Sequence, residues 1–589
     1  MTQPRLITTV DPILTAVLDS RFTSIVDQVA GAMVRTSMSP IFAEARDISA
    51  GLFDKDLRLI AQRDWLPVLA SNLSVAIEEI AGYWEGDLHD GDVIVHNDAY
   101  GKNSHTPDIN VAKPVFHKGQ IAFWSLAKGH HVDVGGRGLC GYDPGARTTW
   151  DDGLVIKPSK LYNAGVYNRS IWDFLKSNTK IPALVEADLN CQVGACVVGE
   201  RALLALIEQY GQDAIYECLD EIMGATELGL RDKIGQLADG VYYGEKAFDD
   251  DAVTRGRPVT VRARVTVAGT DITIDLSESD PQVPSYLNST WGNTYSTANM
   301  AVFYFMEGDT KRNAGALRPI HLVTKKGTCV DPNFPAATTM CTCTLTETIF
   351  EAVSLALAPA KPEWATGAHG KMSLHIAMGV NPRTSRFFAT IDFCTCAEGS
   401  GGTADYDGWA QGGPTHCMGQ LRQPDPEIME LVTPTVVWEN ELVGGREGVG
   451  EYRGGMGATY KVEYLASVNA CEVGQGHADW AVPTGLFGGG SPPPSHPRVR
   501  HADGSVTPVV VNSYWDPQPG DVYEQETQGG AGWGDPWKRD PALVLKDVED
   551  EFLTPEDSRD KYGVIIVGGD APVVDASATD RLRAQPRNQ

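Results

Sequence analysis

The chain has 589 residues, with 49 Lys and Arg against 77 Asp and Glu, for a formal net charge of −28. One hydrophobic core does not grow to that length, so two or three packed units are expected. The negative field repels phosphate backbones and anionic headgroups, which argues against nucleic acid or a membrane surface as partner.

The opening MTQPRLITTVDPILTAVLDS lacks a basic region followed by an apolar run and a small-residue cleavage site, and no 18-residue apolar stretch stands out, so a cytoplasmic protein is expected. Asp11-Pro12 reads as an N-cap and first helical residue, and Ile13, Leu14, Val17, Leu18, Phe22, Ile25, Val26, Val29 and Met33 follow at helical spacing. Next, DISAGLFDKDLRLIAQ predicts a hairpin turning about Asp54-Lys55-Asp56, and SNLSVAIEEIAGYW predicts a helix.

The stretch His96 to Phe116 gathers Asp98, His105 and Asp108, and KGHHVDVGG follows from Lys128. Ile109 to Phe116 and Ile121 to Ala127 are β-prone runs separated by His117-Lys118-Gly119, which predicts a hairpin, with Pro114 implying an edge strand or a bulge. A turn centred on Lys118 makes paired residue numbers sum to about 236, setting His105 near His131, Thr106 near His130 and Asp108 near Lys128, within a residue or two. Because strand side chains alternate, His130 and His131 cannot both reach one ion. Imidazole plus carboxylate without thiolate suits Mn²⁺, Fe²⁺ or Zn²⁺. The plain reading is loop hydrogen bonding and an Asx-turn at Asp98.

Residues 186 to 237 carry helical periodicity, closing an α/β region of residues 1–240. From Arg257, VTVRARVTVAGTDITIDLSES alternates as a hairpin does, and Gly-rich turns with short strands are expected through residue 540, including a surface loop at Gly485 to Pro497. Trp291, Tyr295, Phe303, Tyr304 and Phe305 form an aromatic patch, read as core or as a pocket for an aromatic substrate lined by Trp291 and Tyr295. GAHGKMS lacks the spacing and the Ser or Thr of a phosphate loop, and GGMGATY lacks the full dinucleotide fingerprint, so no ATP site is expected. Eleven cysteines read as reduced thiols; Cys341-Thr-Cys343 and Cys394-Thr-Cys396 are too closely spaced for a usual zinc or iron–sulfur site. Thr554-Pro555-Glu556-Asp557 predicts a helix start within a helical tail at 541–589. The expected class is α+β and multidomain: 1–240 α/β, 241–540 β-rich and 541–589 helical.

Together RDISAGLFDKDLRLIAQ, HNDAY, SHTPDIN, GHHVDVGG, EYRGGMGATY, GLFGGG and GGAGWGDPWKRDPALVLKDV resemble the hydantoinase B family, over residues 11 to 585. That family includes subunits of N-methylhydantoinases, 5-oxoprolinases and acetone and acetophenone carboxylases. The resemblance implies a hydantoinase A-type partner with an actin-like ATPase fold that uses ATP and Mg²⁺, further small subunits, and a hetero-oligomer. By analogy with the acetone carboxylases it implies a divalent metal on His105, Asp108 and His130, with Asp98 and His131 as alternatives. Lys102-Asn103-Ser104-His105 stands where hydantoinase-like members commonly read Gly-Gly-Thr-His, and Asp64 to Leu69 lacks their histidines. These departures favour carboxylation of a ketone with CO2 or bicarbonate, and the aromatic patch favours an aryl ketone such as acetophenone. The rivals are a cyclic amidase subunit and a non-catalytic scaffold.

Overall fold

The computed structural model describes residues 10–138, 140–306, 308, 310–417, 421–569 and 571–586. The class is α+β, with helices and several sheets in two compact units. The first comprises Met1–Tyr242, Ala263–Gln282 and Asn288–Thr342; the second comprises Tyr243–Arg262, Val283–Leu287 and Cys343–Gln589. The chain therefore passes between units more than once, which differs from the serial division at 240 and 540; crossings of this kind leave no mark on composition.

The first unit is built on a seven-stranded antiparallel sheet of β1 (Ile48–Asp54), β2 (Leu59–Asp64), β3 (Val93–His96), β4 (Asp108–His117), β5 (Gln120–His130), β6 (Ser159–Asn163) and β7 (Val166–Tyr167), in the order β2-β1-β5-β4-β3-β6-β7. Helix α1 (Pro12–Thr36) is capped by Asp11, whose side chain accepts from the Ile13 N–H at 2.9 Å. Helix α2 (Leu73–Tyr83) covers one sheet face, where Leu73, Ile77 and Ile80 meet Phe53, Ile94, Ala112, Trp124 and Leu126. On the other face α3 (Pro182–Tyr210), followed by α4 (Gln212–Ile234), packs on β4, β5 and α1. An 18-residue window of α3 has a mean hydropathy of 1.3, so this helix is long and apolar enough to cross a membrane, contrary to the sequence reading. Its Gln192 amide donates to the Ile109 and Ala127 carbonyls at 2.8 and 3.0 Å, tying it to the sheet.

The hairpin β4–β5 turns at Lys118 (φ 50°) and Gly119 (φ 78°), a two-residue turn suited to strand twist. Pairing starts at His117 with Gln120, and an irregularity between Val115 and Phe116 adds one more residue of offset, so the pair sum is 238 toward the open end. Asp108 consequently faces His130, not Lys128, and His105 lies in the loop before the strand. Pro114 sits beyond the Asn110–Ala112 stretch that pairs with β3, where no ladder bond is needed from its nitrogen.

The stretch read as short strands also holds two long helices, α5 (Trp291–Phe305) and α6 (Leu345–Leu357). Both are buried almost all round, which erases the one-sided apolar period that marks a surface helix. In the second unit two antiparallel sheets enclose Tyr460, Tyr464, Val499 and Tyr523. Beside them the Gly-rich segments, read as turns, run extended and bond backbone to backbone: Gly399 N–H to the Gln528 carbonyl (3.0 Å), Gly402 to Ala531 (2.9 Å) and Gly455 to Ser400 (2.8 Å). A Cβ on Gly401 would lie 1.6 Å from the Gly367 carbonyl oxygen, so only glycine permits that approach. The 485–497 stretch has no helix or strand, and Thr554 caps the helix Pro555–Tyr562, both as expected.

Candidate metal centre

Alternation along β4 and β5 puts Asp108 and His130 side by side on the α2 face of the sheet, and the Asn103–Pro107 loop folds His105 over them. The His105 Nε2 is 2.9 Å from the Asp108 Oδ1, and the His130 Nδ1 is 3.4 Å from the same oxygen. One donor atom from each of the three lies within 4.8 Å of the others, and all three side chains are buried. The second nitrogen of each ring is held by a backbone carbonyl: His105 Nδ1–H donates to Thr339, and His130 Nε2–H donates to Cys140 at 3.0 Å. Those bonds fix the tautomers and leave Nε2 of His105 and Nδ1 of His130 facing the carboxylate, the arrangement usual behind metal-ligating histidines.

The rest of the surround orients Asp108. Its Oδ2 accepts from the Ser104 hydroxyl, and the Lys128 ammonium is 3.9 Å away. The Asn103 amide donates to the carbonyls of His105 (2.9 Å) and Asp108 (2.7 Å), locking the loop to the strand. Asp47 brings an oxygen to 4.0 Å from the His130 Nδ1. The Tyr142 ring stacks on His130, centroids 5.3 Å apart, and lies 6.1 Å from His105.

Burial opposes ionisation of Asp108, yet its hydrogen bonds to His105 and His130 and the Lys128 charge hold it well below the usual carboxylate range. Burial lowers His105. His130 is also penalised by burial, but its bond to Asp108 and the Asp47 charge raise it. Burial brings Lys128 down to about 8. The donor set, two oriented imidazoles and an ionised carboxylate without thiolate, fits a divalent first-row ion and leaves coordination positions open.

The two alternatives point elsewhere. Asp98 pairs with Lys157 and accepts from the Tyr100 N–H at 3.0 Å, the Asx-turn of the plain reading. His131 lies on the α3 face, its Nε2 2.8 Å from the Gln192 side-chain oxygen, as alternation requires. Trp291 and Tyr295 stack on each other at 5.4 Å in the first turns of α5; the ring that meets the two histidines is Tyr142. Phe303 and Phe305 are buried core. All eleven cysteines are buried thiols outside any disulfide, and none belongs to a converging group among the described residues. Sequence reasoning missed Thr339, Cys140, Asp47 and Tyr142. Thr339 is 234 positions from His105, and only Tyr142, in a Gly-rich loop just past the second cluster, carried a local signal.

The Hydantoinase B/oxoprolinase family matches residues 11–536. The beta chain of a caprolactamase from Pseudomonas jessenii is 33% identical over 98% of this chain and 99% of its own length. The crystal structure of the ATP-dependent caprolactamase from that organism superposes with a TM-score of 0.91, at 32% identity over 98% of this chain and 100% of the other. The B-type chain of a putative D-/L-hydantoinase from Pseudomonas sp. (strain NS671) is 28% identical over 98% of both chains. A nucleotide-free acetone carboxylase structure shares the fold, with a TM-score of 0.89 at 20% identity, over 98% of this chain and 82% of the other. The match spans most of the chain and includes the loop and hairpin that build the His–Asp cluster: the protein belongs to the hydantoinase B/oxoprolinase family.

Proposed function

We propose that this chain is the B-type subunit of an ATP-dependent enzyme that opens a cyclic amide, with a divalent ion, manganese, iron or zinc, on His105, Asp108 and His130. ATP is consumed on a separate A-type chain in a hetero-oligomer, because the phosphate-cradling motifs are missing here. The observation that carries the reading is the convergence of three buried donor atoms whose tautomers Thr339 and Cys140 fix. The 33% identity to a caprolactamase chain supports a lactam-like substrate. When bound, the ion supplies a Lewis acid that stabilises negative charge on a carbonyl oxygen. The chain's own residues orient and enclose: Ser104 and Asn103 hold Asp108, Tyr142 caps the histidines, and the buried walls exclude bulk water. Buried thiols outside any disulfide accord with a reducing, cytoplasmic setting.

Ketone carboxylation with CO2 or bicarbonate, including an aryl ketone such as acetophenone, is the second reading. It is favoured by the stacked, partly exposed Trp291–Tyr295 pair and by the departures at residues 64–69 and 102–104. The deciding experiment copurifies the tagged chain with its companions from the native host. It then measures ATP-dependent opening of lactams and hydantoins beside fixation of labelled bicarbonate into acetone and acetophenone. Ring opening without fixation is the expected result; fixation without ring opening overturns it. ATP-dependent turnover by the chain alone would overturn the division of labour.

A further inference from the structure

Two polar rows cross the central sheet on the face that holds the candidate metal centre. Asp108 and His130 form one. The neighbouring row, two residues along each strand, is Ser49–Lys128–Asn110–His96 across β1, β5, β4 and β3. Side chains two apart on a strand share a face, so Lys128 stands directly beside the cluster.

Lys128 is fully buried, an uncommon place for lysine unless a partner satisfies it. An ammonium carries three N–H donors. Among the described residues its one hydrogen bond goes to the Asn72 Oδ1 at 2.8 Å, and Asn72 is itself anchored through its amide to the Lys102 carbonyl. The nearest carboxylate, the Oδ2 of Asp108, is 3.9 Å away and already accepts from Ser104. Two N–H groups of a buried cation are left beside the centre.

Charge sharpens the point. The histidines bind an ion as neutral ligands. Among the described residues Asp108 is the carboxylate that approaches both histidines and Lys128, so a bound ion and the Lys128 ammonium share one negative charge. A buried unpaired charge is strongly unfavourable, so the loaded centre calls for one further negative oxygen within reach of both cations.

We infer that Lys128 is a substrate-positioning residue whose ammonium receives an oxygen of a small ligand at the metal centre: a carboxylate oxygen, or an amide carbonyl oxygen as it becomes negative. This rests on the metal reading above and adds a named contact and a ligand class to it. A purely structural role, holding Asp108 in place, makes the opposite prediction for metal affinity. Removing a structural support weakens ion binding, whereas removing a neighbouring cation strengthens it.

The test uses the complex purified with its companions and loaded with Mn²⁺, comparing wild type with Lys128→Met and Lys128→Gln. Manganese affinity is read by EPR titration, and binding of acetate, a small carboxylate probe, by paramagnetic broadening of its NMR signal. Thermal melting confirms folding. Lys128→Gln keeps a donor for Asn72 and serves if the methionine variant fails to fold. The expected result is unchanged metal stoichiometry, equal or tighter manganese binding, and acetate affinity lower by roughly ten- to a hundredfold, the value of a charge-assisted hydrogen bond. Wild-type acetate affinity in a folded variant overturns this inference alone. Loss of manganese from both variants assigns Lys128 to structure and also overturns it. A wild-type complex that takes up no manganese, iron or zinc removes the metal reading itself and this inference with it.

Discussion

Asp108 is where the site is most exposed to test, because its Oδ1 is the atom both histidines approach. Asp108→Asn keeps size and the Ser104 contact but removes the charge that offsets a cation. Metal affinity should fall by roughly a hundredfold or more, while thermal melting stays near wild type. A second residue-scale prediction concerns Asp152, whose carboxyl burial raises to about 8, with its Oδ2 accepting from the Thr338 N–H at 2.8 Å. The folded chain keeps that proton at pH values where an unfolded aspartate has lost it. Stability linked to Asp152 is thus full below about pH 4 and declines toward about pH 8, by up to about 1.4 kcal/mol per pH unit. Asp152→Asn retains an acceptor and cannot ionise, so its melting temperature should fall less steeply across that window; an unchanged slope contradicts the assignment. At this scale the sequence was legible wherever ligands were local. His105 and Asp108 are three residues apart, but the carbonyl that sets the His105 tautomer comes from Thr339, which no local pattern connects to it.

At the scale of elements, the β4–β5 hairpin sets which residues meet, and its turn places Lys118 at φ 50°, a conformation that a lysine adopts with strain. Lys118→Asn, better suited to that position, should stabilise the protein by about 0.5–1 kcal/mol in denaturant unfolding without changing metal content. Destabilisation would mean that the turn is not the two-residue kind. In the second unit, Gly401→Ala forces a methyl group into the Gly367 carbonyl and should leave the chain insoluble or destabilised by at least about 3 kcal/mol. Strand alternation and turn residues made the hairpin at Lys118 readable in advance, to within two residues of register. The glycine segments were not readable as a packed layer, because close backbone approach between distant stretches leaves the same local signature as a turn. Helices α5 and α6 escaped for the related reason that burial on all sides removes the amphipathic period.

At the scale of the whole molecule, the chain presents a buried His–Asp centre but none of the sequence features that cradle a nucleotide phosphate. The isolated chain should therefore show no ATP binding by calorimetry, and turnover should appear only when an ATPase subunit is added. The family was legible in the order of its motifs, and the residues of the converging His–Asp group in two of them. The choice between amide opening and ketone carboxylation was not, because both chemistries call for a Lewis acid beside a carbonyl oxygen.

The central claim, that His105, Asp108 and His130 hold one catalytic divalent ion, is tested most directly by anomalous diffraction from crystals of the active complex, recorded at the absorption edge of the metal found by elemental analysis. A single peak between the His105 Nε2, the Asp108 Oδ1 and the His130 Nδ1, absent in Asp108→Asn, is the predicted result. A fully active complex with no peak at that position would contradict it.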